Sequence, residues 1–218
     1  RCCTQNGIRG GSATVHFPIW HQEIEDIIVL KNNKGTEDNR VRKLDYSIQL
    51  SKLFYARFIA DGEISLFSPH DVPGLYDAFG TESFDELYEE YERSDVPRKT
   101  IKAQELILNL LKERAETGRI YIMNIDHCNS HSSFTDKVEM SNLCQEITLP
   151  TKPVQHIDDE NGEIALCILS AINIGKIRDV QDLETLCDLS VRSLDELIDF
   201  QRYPVKAAEL ATSCLLYT

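Results

Sequence analysis

Thr117-Gly118-Arg119-Ile120-Tyr121-Ile122-Met123-Asn124-Ile125 holds the transition on which the fold turns. Upstream of it, Lys99–Glu116 reads as a long amphipathic helix with Ile101, Leu106, Leu110 and Leu111 inward, and Gly118 suits its C-terminal cap because glycine enters the left-handed region at little cost. Arg119–Ile125 then alternates and is rich in β-branched residues, the pattern of a strand. Working outward, strand and helix patterns keep alternating. A strand at Ala13–Phe17 closes at Pro18, and a helix over about Trp20–Leu30 turns Ile24, Ile27, Ile28 and Leu30 inward. A polar connection over Lys31–Lys43 leads to a helix over about Leu44–Ala60, striped by Leu44, Ile48, Phe54, Tyr55 and Phe58. Ile64–Phe67 reads as a strand and about Glu82–Arg93 as an acidic helix. Downstream come a polar loop over Asp126–Met140, a loosely alternating stretch over Ser141–Pro150, and an apolar segment over Glu163–Asn173 that reads as a buried strand or helix. A helix over Asp179–Phe200 follows, with Leu183, Leu186, Leu189, Leu194 and Leu197 inward. Such alternation predicts an α/β protein with mostly parallel strands.

Composition sets the outer bounds. With 218 residues, 42% hydrophobic and 27% charged, the chain can build a core, which excludes a disordered protein. The longest apolar run, Ile164–Ile172 interrupted at Ser170, falls short of the ~18 residues that a membrane span needs. Thirty-six acids against 23 bases give −13, which argues against non-specific nucleic-acid binding but leaves room for an anionic ligand held by backbone amides and an Arg. Seven cysteines, an odd number spread thinly, point to reduced thiols in a cytoplasmic protein. Arg1 opens in a polar, Gly-rich stretch without a signal-peptide pattern, so the N-terminus reads as truncated.

Four groups of residues could carry chemistry. In an extended segment, Asn142, Cys144 and Glu146 point to one side, giving a hydrogen-bonding amide, a reactive thiol and a base together. The plain alternative is a buried cysteine flanked by edge polars. Cys167, in the apolar segment, reads as a redox partner or as core. His127-Cys128-x-x-His131 has metal-like spacing without a matching second pair, so hydrogen-bonding loop residues are the simpler reading and no metal site is assigned. Gln5-Asn6-Gly7-Ile8-Arg9-Gly10-Gly11-Ser12 could approach a nucleotide through its backbone and Arg9, or form a surface turn.

Taken together the motifs resemble a known family. Gln5-x-Gly7-x-Arg9-Gly10-Gly11, Ser68-Pro69-His70-Asp71-Val72-Pro73-Gly74-Leu75-Tyr76 and Thr117-Gly118-Arg119-Ile120-Tyr121 belong to it. So do Asn124-x-Asp126-His127-Cys128-Asn129, Ser141-Asn142-Leu143-Cys144-x-Glu146 and Gly162-Glu163-Ile164-Ala165-Leu166-Cys167. From residue 3 to about 212 the chain is similar to the large catalytic subunit of class I ribonucleotide reductase, of the T-even-like phage and enterobacterial type.

That resemblance implies a ten-stranded α/β barrel with a central finger loop, here residues 126–150, within a partial catalytic domain over 1–212. It implies reduction of ribonucleoside diphosphates to 2′-deoxyribonucleoside diphosphates, with a transient thiyl radical on Cys144, Glu146 as the base for the 3′-hydroxyl and Asn142 holding the ribose hydroxyls. Cys167 matches one of two cysteines that become a disulfide. Residues 3–12 match the specificity loop, where Gln5, Arg9, Gly10 and Gly11 would link substrate choice to the effector site. The implied partners are a small di-iron subunit that supplies the radical, ATP, dATP, dGTP or dTTP as effectors, thioredoxin or glutaredoxin as reductant, and a second large subunit. Neither nucleic acid nor membrane is implied, no cofactor is bound by this chain itself, and the location is the cytoplasm, the bacterial host's if phage-encoded.

The second redox cysteine, the radical-relay tyrosines and the shuttle cysteines of the family have no match here, so this chain alone is expected to be inactive. Ser213–Thr218 departs from the family, and Cys214-Leu215-Leu216-Tyr217-Thr218 matches a translated transposon-type sequencing adapter, so 213–218 is expected to be a non-native tail. Two other functions stay in view. A Cys144-nucleophile hydrolase or transferase would need His127 or His131 beside the thiol, and a non-catalytic nucleotide-binding module would use only the Gly-rich loop.

Overall fold

The computed structural model describes residues 4–5, 7–36, 38 and 40–215. Cys2, Cys3, Asn6, the side chain of Gln5 and the final three residues of the expected tail lie outside the described residues. The chain divides into two compact units, Arg1–Leu149 and Pro150–Thr218.

The first unit opens with β1 (Thr4–Gln5) and β2 (Arg9–Gly10), an antiparallel pair with Gly7 at φ +72° in its turn. The Gly-rich stretch is thus a small hairpin rather than a plain loop. Then follow β3 (Thr14–Pro18), α1 (Ile24–Ile28), β4 (Asp45–Leu50), α2 (Lys52–Ile59) and β5 (Glu63–Leu66). After these come α3 (Leu75–Ala78), α4 (Phe84–Arg93), β6 (Lys99–Lys102), α5 (Ala103–Thr117), β7 (Ile120–Asn124) and α6 (Ile125–Ser130).

β3, β4 and β7 form a parallel sheet with β4 in the middle, and β5 pairs with β6 antiparallel. This is an α/β arrangement. Among the described residues the sheets have three, two and two strands.

Several expectations need correction. The helix over Leu44–Ala60 is a strand followed by a helix. Tyr46, Ile48 and Leu50 alternate with Ser47 and Gln49, all five are buried, and Ser51 caps α2 by accepting from the Phe54 N–H at 3.4 Å. The helix over Lys99–Glu116 likewise begins with strand β6, in which Ile101 faces Ile64 of β5. From Ala103 on it is α5, closed by Gly118 at φ +63° as expected. The helix near Trp20 is shorter than expected, although Ile24, Ile27 and Ile28 are buried. The loop after β7 opens with α6.

One sheet face carries Val15 and Phe17, Tyr46, Ile48 and Leu50, and Ile120 and Ile122. It packs on Ile24, Ile27 and Ile28 of α1, Phe54 of α2 and Leu106, Ile107 and Leu110 of α5. Burying these side chains is the main term holding the layers together. The polar connection is tied to α5 by Asn32, whose Nδ2 donates to both carboxylate oxygens of the buried Glu113 at 2.8 and 2.7 Å.

A second core is aromatic. Trp20 meets Phe79 edge-on at 6.0 Å, Phe67 meets Tyr88 at 5.5 Å, and Phe79 meets Phe84 at 4.8 Å. Tyr88 is satisfied inside it, accepting from Ser65 N–H at 2.8 Å and donating to Ser65 C=O at 2.6 Å.

Gly80 lies against this core at φ +85°, where an added Cβ would sit 2.7 Å from Ile125 Cγ1 and 2.9 Å from Asn129 Nδ2. Gly80→Ala therefore combines a left-handed penalty with a clash. The expected loss is about 2–4 kcal/mol, read as a lowered urea midpoint.

Among its described residues the second unit holds one bridge, Lys152 with Glu163, then α7 (Val180–Phe200) and α8 (Lys206–Leu215). Asp179 caps α7 by accepting from Asp182 N–H at 2.8 Å. The apolar stretch beyond Glu163 is neither helix nor buried strand. It has no regular secondary structure and no strand partner among the described residues, Ile164 N–H donates to the Ala207 carbonyl at 3.1 Å, and Leu169 is 77% exposed. The α7 leucines, expected inward, are half-buried or exposed, whereas Ala207, Ala208 and Ala211 of α8 are buried. No described helix is long and apolar enough to cross a membrane.

Candidate active site

The other face of the parallel sheet is polar. It presents Thr14 and His16 from β3, Ser47 and Gln49 from β4, and Tyr121 and Met123 from β7. Over it lies the segment Glu139–Ile147. Thr14 Oγ1 donates to the Leu143 carbonyl at 2.6 Å, and Gln49 Nε2 donates to the Glu139 carbonyl at 2.6 Å. Ser47 Oγ donates to Gln145 Oε1 at 2.5 Å, and Gln145 Nε2 donates to the Ile122 carbonyl at 2.6 Å.

Asn142, Cys144 and Glu146 thus come together on one segment, but not by the expected route. The backbone is a turn rather than an extended strand. Gln145 N–H donates to the Asn142 carbonyl at 3.2 Å, and Gln145 has φ +61°. Asn142 Oδ1 accepts from Ile147 N–H at 3.1 Å and from Ser141 Oγ at 3.2 Å, so the side chain braces the turn. Its Nδ2 has no partner among the described residues and can still donate. The Cys144 thiol is free and exposed. Glu146 is exposed too, with no hydrogen bond or ion pair among the described residues. A thiol, a carboxylate and an amide donor therefore sit within five residues on a braced turn, the minimum set for hydrogen abstraction, proton removal and hydroxyl binding.

The motif leading into the turn is scaffold. Asn124 Oδ1 accepts from Tyr55 Oη at 2.7 Å, and the Asp126 carboxylate accepts from Lys52 N–H at the start of α2. Asn129 Oδ1 accepts from Val138 N–H at 2.8 Å, while its Nδ2 donates to the carbonyls of Ile125 and Val138, both at 3.0 Å. The His127 and His131 rings meet edge-on at 5.7 Å, and His131 Nδ1 lies 3.1 Å from the His127 carbonyl. Neither His hydrogen-bonds Cys144, so the geometry gives the hydrolase reading no general base. Burial raises the Cys128 thiol above its ordinary range and keeps it protonated. No three His, Cys, Asp or Glu side chains among the described residues converge as a metal site.

Arg9, Gly10 and Gly11 are exposed, the first two on β2. Beside Gly10–Ser12 opens a cleft of about 580 Å³ lined by Lys31, Arg42, Lys43 and Arg119 together with Asp45 and Glu116. Four cations gather there in a strongly acidic chain, although Lys31 is paired with Asp45. Cys167 belongs to the second unit and is exposed in a segment without regular secondary structure, not buried on a strand.

Thr14, His16, Ser47, Gln49 and Gln145 were not singled out from sequence. The usable signal was the alternation of Tyr46, Ile48 and Leu50, which puts Ser47 and Gln49 on the opposite face. His16 stands out among them. Both ring nitrogens are shielded from solvent and without a hydrogen-bond partner among the described residues, and burial lowers its pKa, outweighing an opposing effect of the Ser141 backbone. The folded state holds His16 neutral, while the unfolded chain takes up a proton below about pH 6.5, so stability should fall as pH drops through that range. His16→Phe should flatten this slope and add about 1 kcal/mol by removing two unpartnered nitrogens. Urea midpoints at pH 5.5 and 7.5 test this, and an unchanged slope would reject it.

The class of protein follows from the comparisons, with which a parallel α/β sheet accords. Residues 1–213 match the family described as ribonucleotide reductase, barrel domain, and the chain belongs to that family. It is 60% identical over 215 residues to the ribonucleoside-diphosphate reductase subunit alpha of Haemophilus influenzae, covering 96% of this chain and 28% of that one. It is 44% identical over 220 residues to the phage T4 subunit of the same name, covering 97% of this chain and 29% of the relative. The large subunit of Danio rerio is 34% identical over 209 residues, covering 92% and 25%. The chain therefore spans about a quarter of the length of the relatives it matches.

Proposed function

We propose that this chain is part of the catalytic subunit of a class I enzyme that reduces ribonucleoside diphosphates to 2′-deoxyribonucleoside diphosphates. The carrying observation is the turn with Cys144, Glu146 and the free Nδ2 of Asn142, tied to the polar face of a parallel sheet in a chain of this family.

A thiyl radical on Cys144 takes the 3′-hydrogen of the ribose, which leaves a thiol and a carbon radical. Glu146 accepts the 3′-hydroxyl proton, and Asn142 Nδ2 donates to the ribose hydroxyls. The 2′-hydroxyl takes a proton and departs as water. Cys167 and a second cysteine supply two electrons and two protons and become a disulfide, and the 3′-hydrogen returns from Cys144. The sum is one diphosphate and two thiols going to one deoxynucleotide, one disulfide and one water.

The radical comes from a small di-iron subunit, and thioredoxin or glutaredoxin reduces the disulfide. Nucleoside triphosphates act as effectors through the hairpin with Gln5, Arg9, Gly10 and Gly11, in a dimer of large subunits. A ten-stranded barrel would enclose the exposed Cys144 turn and shield the radical from water. Cytoplasmic location accords with free thiols.

The test is product analysis with the complete subunit, its radical-generating partner, CDP, ATP and dithiothreitol. Formation of dCDP supports the reading. Nucleotide binding without reduction would favour the binding-module reading instead.

A further inference from the structure

We infer that Gln145 is a positioning residue that sets where the Cys144 thiol sits, through a side-chain clasp joining the turn to two strands. The inference concerns a residue outside the thiol, carboxylate and amide set, and for its catalytic consequence it rests on the proposed function.

Cys144 is the untied member between two tied neighbours. Leu143 is held to β3 through its carbonyl by Thr14 at 2.6 Å. Gln145 is held to β4 by Ser47 Oγ at 2.5 Å and to β7 by the Ile122 carbonyl at 2.6 Å. The same residue closes the turn, its N–H donating to the Asn142 carbonyl at 3.2 Å. The Cys144 thiol has no such tie, so its position is inherited from the residues on either side.

Gln145 also keeps an unfavourable backbone. At φ +61° it is one of two non-glycine residues in the left-handed region among those described, the other being Asp61. A long side chain at such a position persists where the surroundings over-determine it. Here the clasp does so, and the chemistry is specific to glutamine. One end must accept from a hydroxyl while the other donates to a carbonyl. Glutamate lacks the donor, leucine lacks both groups, and glycine suits the backbone but has no clasp.

The experiment uses the complete subunit with its radical-generating partner and reads two quantities. One is hydrogen exchange at the Gln145 and Ile147 amides, and the other is kcat and KM for CDP reduction. For Gln145→Leu, we expect exchange at these amides to rise about tenfold with the β4 amides unchanged. We expect kcat to fall about 10- to 100-fold, with KM within about twofold, because misplacing a reacting group costs rate more than binding. Gln145→Gly should fail to rescue either quantity, and Ser47→Ala, which removes one tie, should fall between. Wild-type behaviour of Gln145→Gly would show that backbone conformation alone places the thiol and would overturn the inference. Unchanged exchange in Gln145→Leu would overturn it as well. If the wild-type subunit reduces no nucleotide, the proposed function falls, while the exchange result still decides for or against the clasp.

Discussion

Cys144→Ser in the complete subunit should lower dCDP formation more than about 1,000-fold, to background, while nucleotide binding stays near its wild-type value. On the proposed function Cys144 carries the radical that removes the 3′-hydrogen, and a thiol gives up its hydrogen atom far more readily than an alcohol, so serine would not replace it. A thousandfold loss corresponds to about 4 kcal/mol of lost barrier lowering. Cys144 makes no contact that packs the turn, since its thiol is free and exposed and the ties run through Leu143 and Gln145. The substitution should therefore leave the urea midpoint within about 0.5 kcal/mol of wild type. Product chromatography, equilibrium nucleotide binding and denaturation on the same preparation separate these outcomes. Turnover above about a tenth of wild type would remove Cys144 from the radical role, whereas a parallel loss of binding and stability would assign it a structural one.

The second large effect concerns stability. Phe67→Ala should cost about 3–5 kcal/mol, the range for deleting a fully buried aromatic side chain. Phe67 is fully buried, with Tyr88 at 5.5 Å and Tyr91 at 6.4 Å between ring centres. Its backbone also joins neighbouring segments, with Phe67 N–H donating to the Trp20 carbonyl and the Phe67 carbonyl accepting from Gln22 N–H, both at 2.8 Å. Alanine keeps those backbone bonds and loses the ring, which leaves a cavity among stiff aromatic neighbours that collapse poorly. Trp20 is the single tryptophan of the chain and lies buried in the same cluster, so its fluorescence reports the transition directly. Leu111→Ala, at a side chain 45% exposed on α5, is the control and should stay within about 1 kcal/mol. A Phe67→Ala loss below about 1 kcal/mol would show that the aromatic cluster adds little to the first unit.

Local pattern was enough for part of this fold. β3, β5 and β7, the acidic helix α4, the end of α5 at Gly118 and the extent of α7 all carry their own signals, because a capping residue or a strict alternation acts over a few neighbours. The family resemblance rested on whole motifs and held up. Asn142, Cys144 and Glu146 were legible as sequence neighbours, and the turn closed from Gln145 N–H to the Asn142 carbonyl carries all three.

Other features depended on partners distant in sequence. Asp45–Leu50 looks helical beside Leu44, Phe54 and Phe58. It becomes a strand because pairing with β3 and β7 satisfies its backbone while both of its faces are covered. Lys99–Lys102 is drawn off the helix in the same way by pairing with β5. The apolar Ile164–Ile172 run is long enough for a strand, yet it joins no sheet among the described residues, since hydrophobicity alone does not bring a strand alongside.

By itself the sequence determined the α/β class and the family, and it named the residues of the Asn142–Glu146 turn, since these rest on residue types and short spacings. The tertiary structure alone decided how that turn is held. Thr14, Ser47, Gln49 and the Ile122 carbonyl meet it from three strands, and only their convergence explains a left-handed glutamine beside an untied cysteine.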